Sequence, residues 1–240
     1  MFEVRYPFSS FYLFRHKTLY TGDGSLARGE SVMGSVVAAL DKKGRDISDA
    51  ISDMLIELRH RGYSTYGIAS STRLFYAKNT QELKNTKLNA PVAIGHNYSG
   101  IFPHEKEQPL LTNNFAIVFD GRIYPFHGKS ELEKVMEALE KLEDAYKLIL
   151  ELEGDFAFVI TNGERIVAGR SVSGVCPLYY GENTQVAALA SERKALWRIG
   201  IKKTVSFPPG NVAVINKQGF YFHEIKKLQL PKTRENSIQW

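Results

Sequence analysis

The sequence predicts a single α+β domain. Short apolar runs bounded by turn residues recur along the chain, and two longer stretches carry apolar residues at helical spacing. The length of 240 residues, with 43% hydrophobic and 24% charged, suits one domain with a sizeable core.

Taken in order, Ser35–Leu40 is a β-branched and small-residue run that reads as a buried strand. A polar turn, Asp41–Asp46, precedes Ser48–His60, where Ile51, Met54, Leu55 and Leu58 recur at helical spacing. Asp46 and Ser48 both suit an N-cap there, and Gly62 a stop. Tyr66–Ser70 reads as a second strand, with Leu74–Ala77 able to pair with it across Thr72–Arg73. Lys78–Ala90 is polar and poorly periodic and reads as a loop with at most one helical turn. Ala93–Tyr98 and Phe115–Tyr124 are strand-like. Lys129–Leu152 holds two apolar stripes, Leu132/Val135/Met136/Leu139 and Tyr146/Ile149/Leu152, with Asp144 placed as a cap between two helices. Phe156–Ile160 reads as a further strand, and Val212–Ile215 and Phe220–His223 close as a pair about a Gln218–Gly219 turn.

Composition excludes some classes of function. No apolar run approaches the roughly 18 residues of a membrane span. The net charge of +5 and pI near 9.1 come from Lys and Arg scattered along the chain, so nucleic-acid binding is not indicated beyond a basic N-terminal arm. Cys176 is the single cysteine, which excludes an internal disulfide and suits a reducing, cytoplasmic setting. The six histidines show no metal-ligand spacing, and no phosphate-cradling glycine loop is present, so no metal, nucleotide or other cofactor is expected.

Several motifs together resemble a known family. Met33, Val36, the triplet His60–Arg61–Gly62 and the pair Gly67–Ile68 stand in the order in which class II glutamine amidotransferases open: M-C-G-I, strand, helix, H-R-G, G-I strand. Gln108–Pro109, LEGDFAFVI at 152–160, GVCPLYYG at 174–181, ASERKAL at 190–196 and FPPGN at 207–211 continue the match, closest to the amidotransferase halves of asparagine synthetases. The resemblance covers about 33–228. It implies a four-layer α/β/β/α sandwich of the Ntn-hydrolase type, and a division into an N-terminal extension (1–32), an amidotransferase-like domain (33–230) and a C-terminal tail (231–240). The extension, with its aromatic run Phe8–Phe14, leaves three readings open: an extra strand packed on the domain, a start codon placed upstream of Met33, or a removable pro-segment. The chain ends at Trp240, where a synthetase of this kind continues into its ATP-binding half.

The same resemblance places a glutamine site, and the residues there depart from the pattern. The family's nucleophile is an N-terminal Cys whose α-amine serves as base. Gly34 stands in its place, and the nearest hydroxyl, Ser35, would face the other side of the strand. The oxyanion-hole positions are Asp120 and Gly121; the family has Asn at the first, and an ionised Asp only accepts hydrogen bonds. The Arg that holds the substrate carboxylate falls on Asn97 or Tyr98, depending on a gap of one residue. Two acids that face the substrate ammonium fall on Arg122 and Lys129. Such a pocket implies a protein without glutaminase activity, a pseudoenzyme acting as a binding or regulatory subunit of a synthetase-like partner or taking a small anionic ligand. The alternative is an active Ntn hydrolase with an unconventional nucleophile, such as an amine exposed by trimming to Gly34. Asp120 is expected to pair with Lys129 or Arg122.

Overall fold

The computed structural model describes residues 34–99, 106–125 and 130–228, which lie in one compact unit. The expectations for residues 1–32, for Lys129 and for the tail beyond residue 228 fall outside the described residues.

The chain runs β1 (Ser35–Asp41), α1 (Ser48–Glu57), β2 (Thr65–Ala69), β3 (Leu74–Ala77), α2 (Thr80–Asn85), β4 (Val92–Tyr98), β5 (Leu110–Leu111) and β6 (Ala116–Tyr124). It continues through α3 (Glu131–Glu137), α4 (Ala145–Glu151), β7 (Glu153–Thr161), β8 (Ile166–Arg170), β9 (Tyr179–Glu182) and β10 (Val186–Ala190). It closes with α5 (Arg193–Arg198), β11 (Val205–Ser206), β12 (Asn211–Asn216) and β13 (Gly219–Glu224). The strands form a seven-stranded sheet, β11-β9-β10-β1-β4-β2-β3, and a six-stranded sheet, β13-β12-β8-β7-β6-β5. Every described strand pairing is antiparallel.

Strand alternation sorts the core into three layers. Along β1, Val36, Ala38 and Leu40 enter the layer between the sheets, where they meet Val118, Val159 and Ala168. Val37 and Ala39 point the other way, into a layer with Ile51, Met54, Leu55 and Leu58 of the α1 segment and Leu196 of α5. On the second sheet Ile117, Phe119, Phe156 and Phe158 face outward onto Leu132, Val135, Leu148 and Ile149 of α3 and α4. The result is an α/β/β/α sandwich. Each fully buried Leu, Ile or Met on α1 contributes roughly 1.5–3 kcal/mol of transfer free energy, so packing rather than capping holds this helix. Its N-cap is Ile47, without a side-chain cap bond; Asp46 Oδ1 instead accepts from the Ser48 amide and hydroxyl and from the Ala90 amide.

Several expectations need correction. The two helical stretches do not cover one sheet: α1 lies on the seven-stranded sheet, and α3 and α4 lie on the other. The 78–90 stretch contains a helix, α2, set by Asn79, whose Oδ1 accepts from the Gln81 and Glu82 amides. Asp144 makes no side-chain cap bond to α4; its Oδ2 accepts from Lys141 N instead. Ser130 caps α3 with a full capping box to Glu133. The β12–β13 loop is Lys217–Gln218, since Asn216 pairs with Gly219. Strands β5, β8, β9, β10 and β11, which the sequence reading had not marked, complete the sheets.

Candidate functional site at the start of the central strand

Gly34 immediately precedes β1, the strand flanked by β10 and β4 in the seven-stranded sheet. It shares the alternation phase of Val36, so any side chain at 34 would enter the layer between the sheets. Ser35 points to the helix layer, beside its register partner Asn97.

The space beside Gly34 belongs to His96 on β4. A Cβ built on Gly34 would lie 2.5 Å from His96 Nε2, 2.8 Å from Cε1 and 3.3 Å from the Asn97 carbonyl oxygen. Burial, and then the positive charge of Arg61, push the His96 pKa down to about 3, so the ring is neutral at physiological pH. Its Nδ1 has no hydrogen-bond partner among the described residues, nor do Ser35 Oγ and Asn97 Oδ1.

Arg61 is the hub of the site. The short 3-10 turn Arg59–Arg61 after α1 turns its buried side chain inward, where Nε donates to the Gly34 carbonyl at 2.9 Å. Nη2 lies 3.3 Å from Asp120 Oδ2 and Nη1 lies 3.4 Å from Glu192 Oε1. One guanidinium thus ties the start of β1, the β10–α5 junction and β6 of the opposite sheet. Burial works to raise the Glu192 pKa, but the His60 hydrogen bond at 2.8 Å and the charges of His60, Arg61 and Lys194 outweigh it and hold the carboxyl below its usual range.

Asp120 shares the phase of Val118 and faces the layer between the sheets. Gly121 (φ +136°) sits so close to β7 that a Cβ would overlap the Asp155 carbonyl oxygen and Phe156. Gln108 fixes the strand just before them: its amide donates to the Phe119 oxygen at 3.0 Å and accepts from the Phe119 N–H at 2.7 Å. Arg122 Nη1 donates to the Gly121 carbonyl at 3.0 Å and lies 4.0 Å from Glu131 Oε1. Glu131 Oε2 accepts from the Ile123 amide. Among the described residues, Asp120 faces Arg61 and Arg122 lies near Glu131; an Asp120–Lys129 pair falls outside the described residues.

The two candidates for the carboxylate-holding position separate. Asn97 is fully buried in the helix layer, donating to the Leu55 carbonyl at 2.9 Å, on the far side of the sheet from Gly34. Tyr98 keeps the phase of His96. Cys176 is buried with its thiol 3.1 Å from the Asp155 carbonyl; burial and then the nearby Asp120 and Asp155 push its pKa up to about 12. It is a protonated, packed side chain, not a nucleophile. Among the described residues no group of three His, Cys, Asp or Glu side chains could hold a metal.

Two features escaped the sequence reading: the His96 ring against Gly34, and the Arg61 bridge to Asp120 and Glu192. Both residues lie in quoted motifs, His96 in AIGHNY and Arg61 in the H-R-G triplet, but nothing in linear spacing signals either approach.

The sandwich is the fold of glutamine amidotransferase-like domains, and the comparisons agree. Residues 96–198 match the glutamine amidotransferase domain family, a match that begins at His96 and takes in Asp120 and Gly121. The chain is 29% identical over 191 residues to a putative glutamine-hydrolyzing asparagine synthetase of Methanocaldococcus jannaschii, covering 70% of this chain and 33% of that protein. It is 27% identical over 199 residues to a rice (Oryza sativa subsp. japonica) asparagine synthetase, covering 76% of this chain and 29% of the relative. The chain thus spans about a third of the length of these curated relatives. Among solved structures, the glutamine phosphoribosylpyrophosphate amidotransferase of B. subtilis matches with a TM-score of 0.64 at 19% identity, over 80% of this chain and 49% of that one. A class-II glutamine aminotransferase domain protein of Silicibacter pomeroyi gives a TM-score of 0.55 at 12% identity, over 80% of this chain and 99% of its own. The chain carries a class II glutamine amidotransferase-like domain of Ntn-hydrolase fold, with asparagine synthetases among its relatives.

Proposed function

We propose that this domain performs no glutaminase chemistry and serves as a binding or regulatory subunit of a synthetase-like partner. The observation that carries this reading is the occupied nucleophile position: Gly34 offers no side chain, and the His96 ring stands 2.5 Å from where one would begin. The rest of the pocket agrees. Asp120 cannot donate to an oxyanion and is tied to Arg61, and Cys176 is protonated and buried. The partner half of the proposal is supported by the relatives, in which a domain of this kind makes up about a third of a longer asparagine synthetase. A small anionic ligand has less to recommend it, because Arg61 already faces the carboxylates of Asp120 and Glu192, and Arg122 that of Glu131. We place the protein in the cytoplasm, on the single reduced cysteine; no described helix is long and apolar enough to cross a membrane.

The test is ammonia release from glutamine by the full chain, with a working class II enzyme as positive control. No release above the uncatalysed blank is expected, and turnover comparable to the control would end the reading. Intact mass of the purified protein decides separately whether the chain is trimmed to Gly34, as the alternative of an N-terminal amine requires.

A further inference from the structure

The corner built by α5, β9 and β11 joins two properties that the pocket does not use. The first is charge. Residues 193–203 read RKALWRIGIKK, five cations without one acid. Lys194 and Arg198 are matched, at 3.6 Å to Glu192 and 3.7 Å to Asp53. Arg193, Lys202 and Lys203 are exposed, and no described carboxylate lies in ion-pair reach of them. The second is apolar exposure: Trp197 is 55% exposed and Val205 is 52% exposed. Trp197 lies one helical turn beyond Arg193, on the same side of α5.

Arg193 is held ready between them. Its guanidinium stacks 4.6 Å over the Tyr179 ring, and Nη1 donates to the Thr204 carbonyl at 2.9 Å. A preorganised Arg beside an exposed Trp and a partly exposed Tyr has the composition of a binding hot spot, because little side-chain entropy is left to lose on docking.

From this we infer that the α5–β11 corner is a docking surface for an acidic face of a partner protein. The inference rests on the proposed role as a subunit and adds to it where the partner sits and which charge it carries. A second copy of this chain is a poor occupant, since it would bring the same cations to the contact. The paired apolar groups favour a protein over a nucleic acid, whose backbone needs the cations but not Val205.

The experiment mixes the full chain with purified synthetase-like chains of the same organism and measures complex formation by calorimetry and light scattering at low and high salt. Trp197→Ala and Arg193→Glu are expected to weaken the complex at least about tenfold, and added salt to weaken the wild-type complex. Tyr221→Ala, 49% exposed on β13, is the control and should bind as wild type. All three positions are exposed, so unchanged melting temperatures confirm folding. If Trp197→Ala and Arg193→Glu bind as well as wild type, the docking surface is refuted while the subunit role stands. If the wild-type chain binds none of these partners, both are refuted. Binding of an oligonucleotide that is lost in the same variants, without any protein complex, would also overturn the inference.

Discussion

Substituting Gly34 by alanine tests the site most directly, because its cost can be worked from the structure. Gly34 is not in the left-handed region, so an L-residue is tolerated by the backbone. The chain entropy removed from the unfolded state by Gly→Ala then favours folding by about 0.4–1 kcal/mol. Against this stands the methyl group 2.5 Å from His96 Nε2, a separation that buried atoms do not sustain. The ring is fully buried and flanked by the Asn97 carbonyl, so relief requires an off-rotamer imidazole or a shift of β4 against β1. Overpacking of this kind costs about 1–3 kcal/mol. Gly34→Ala should therefore lower stability by roughly that amount less the entropy gain, a few degrees of melting temperature for a domain of this size. In a His96→Ala background the same substitution should be neutral or stabilising. The assay is a double-mutant cycle from urea unfolding, with an expected coupling of about 1 kcal/mol or more. Additive effects of the two substitutions would mean that the ring does not occupy the nucleophile's place.

Two further outcomes follow from the same groups. Asp120→Asn should cost about 1–3 kcal/mol by leaving the buried Arg61 less compensated, and Asp120→Asn with Arg61→Gln together should cost less than the sum of the two; strict additivity in denaturant unfolding would refute the pair. His96, with a folded pKa of about 3 against an ordinary 6.5, adds stability that is full above pH 6.5 and is lost as pH falls toward 3. Wild type should thus lose up to about 1.4 kcal/mol per pH unit more than His96→Gln across that window, and parallel stability curves would contradict the buried neutral ring.

Much of the fold was legible because buried strands and amphipathic helices leave periodic marks. Val36–Leu40, Ile68, Phe115–Phe119 and Phe156–Ile160 were recognisable from apolar runs, and α1 from Ile51, Met54, Leu55 and Leu58. Strand β10, VAALA, was not, because four of its five residues are buried and it carries no polar face to alternate with. The sheet that each helix covers was also illegible: a 3.6-residue period shows that a helix has an apolar face, not what lies beneath it. For the site, the identity of residues 34, 120 and 121 could be read against a family pattern, but their partners could not. Arg61 and Asp120 are 59 residues apart in sequence and meet only because the two sheets stack, bringing the turn after α1 over the middle of β6. Linear sequence also could not show which way Asn97 and Tyr98 point; strand phase sends Asn97 to the Leu55 carbonyl and Tyr98 to the opposite face.

Two positions that depart from the resembled amidotransferase pattern, Gly34 and Asp120, both contact Arg61. A carboxylate at position 120, facing a dry layer between two sheets, would be costly without a cation, and Arg61 supplies one from the turn after α1. Burial, and then the charge of Arg61, depress the pKa of His96 and keep the ring neutral. A neutral ring in that place closes the space at residue 34, so glycine is the residue that fits. Returning a thiol to position 34 would meet the ring, and returning an amide to position 120 would strip Arg61 of a carboxylate. The docking surface proposed for the α5–β11 corner uses the exposed Trp197 and cations that take no part in this network.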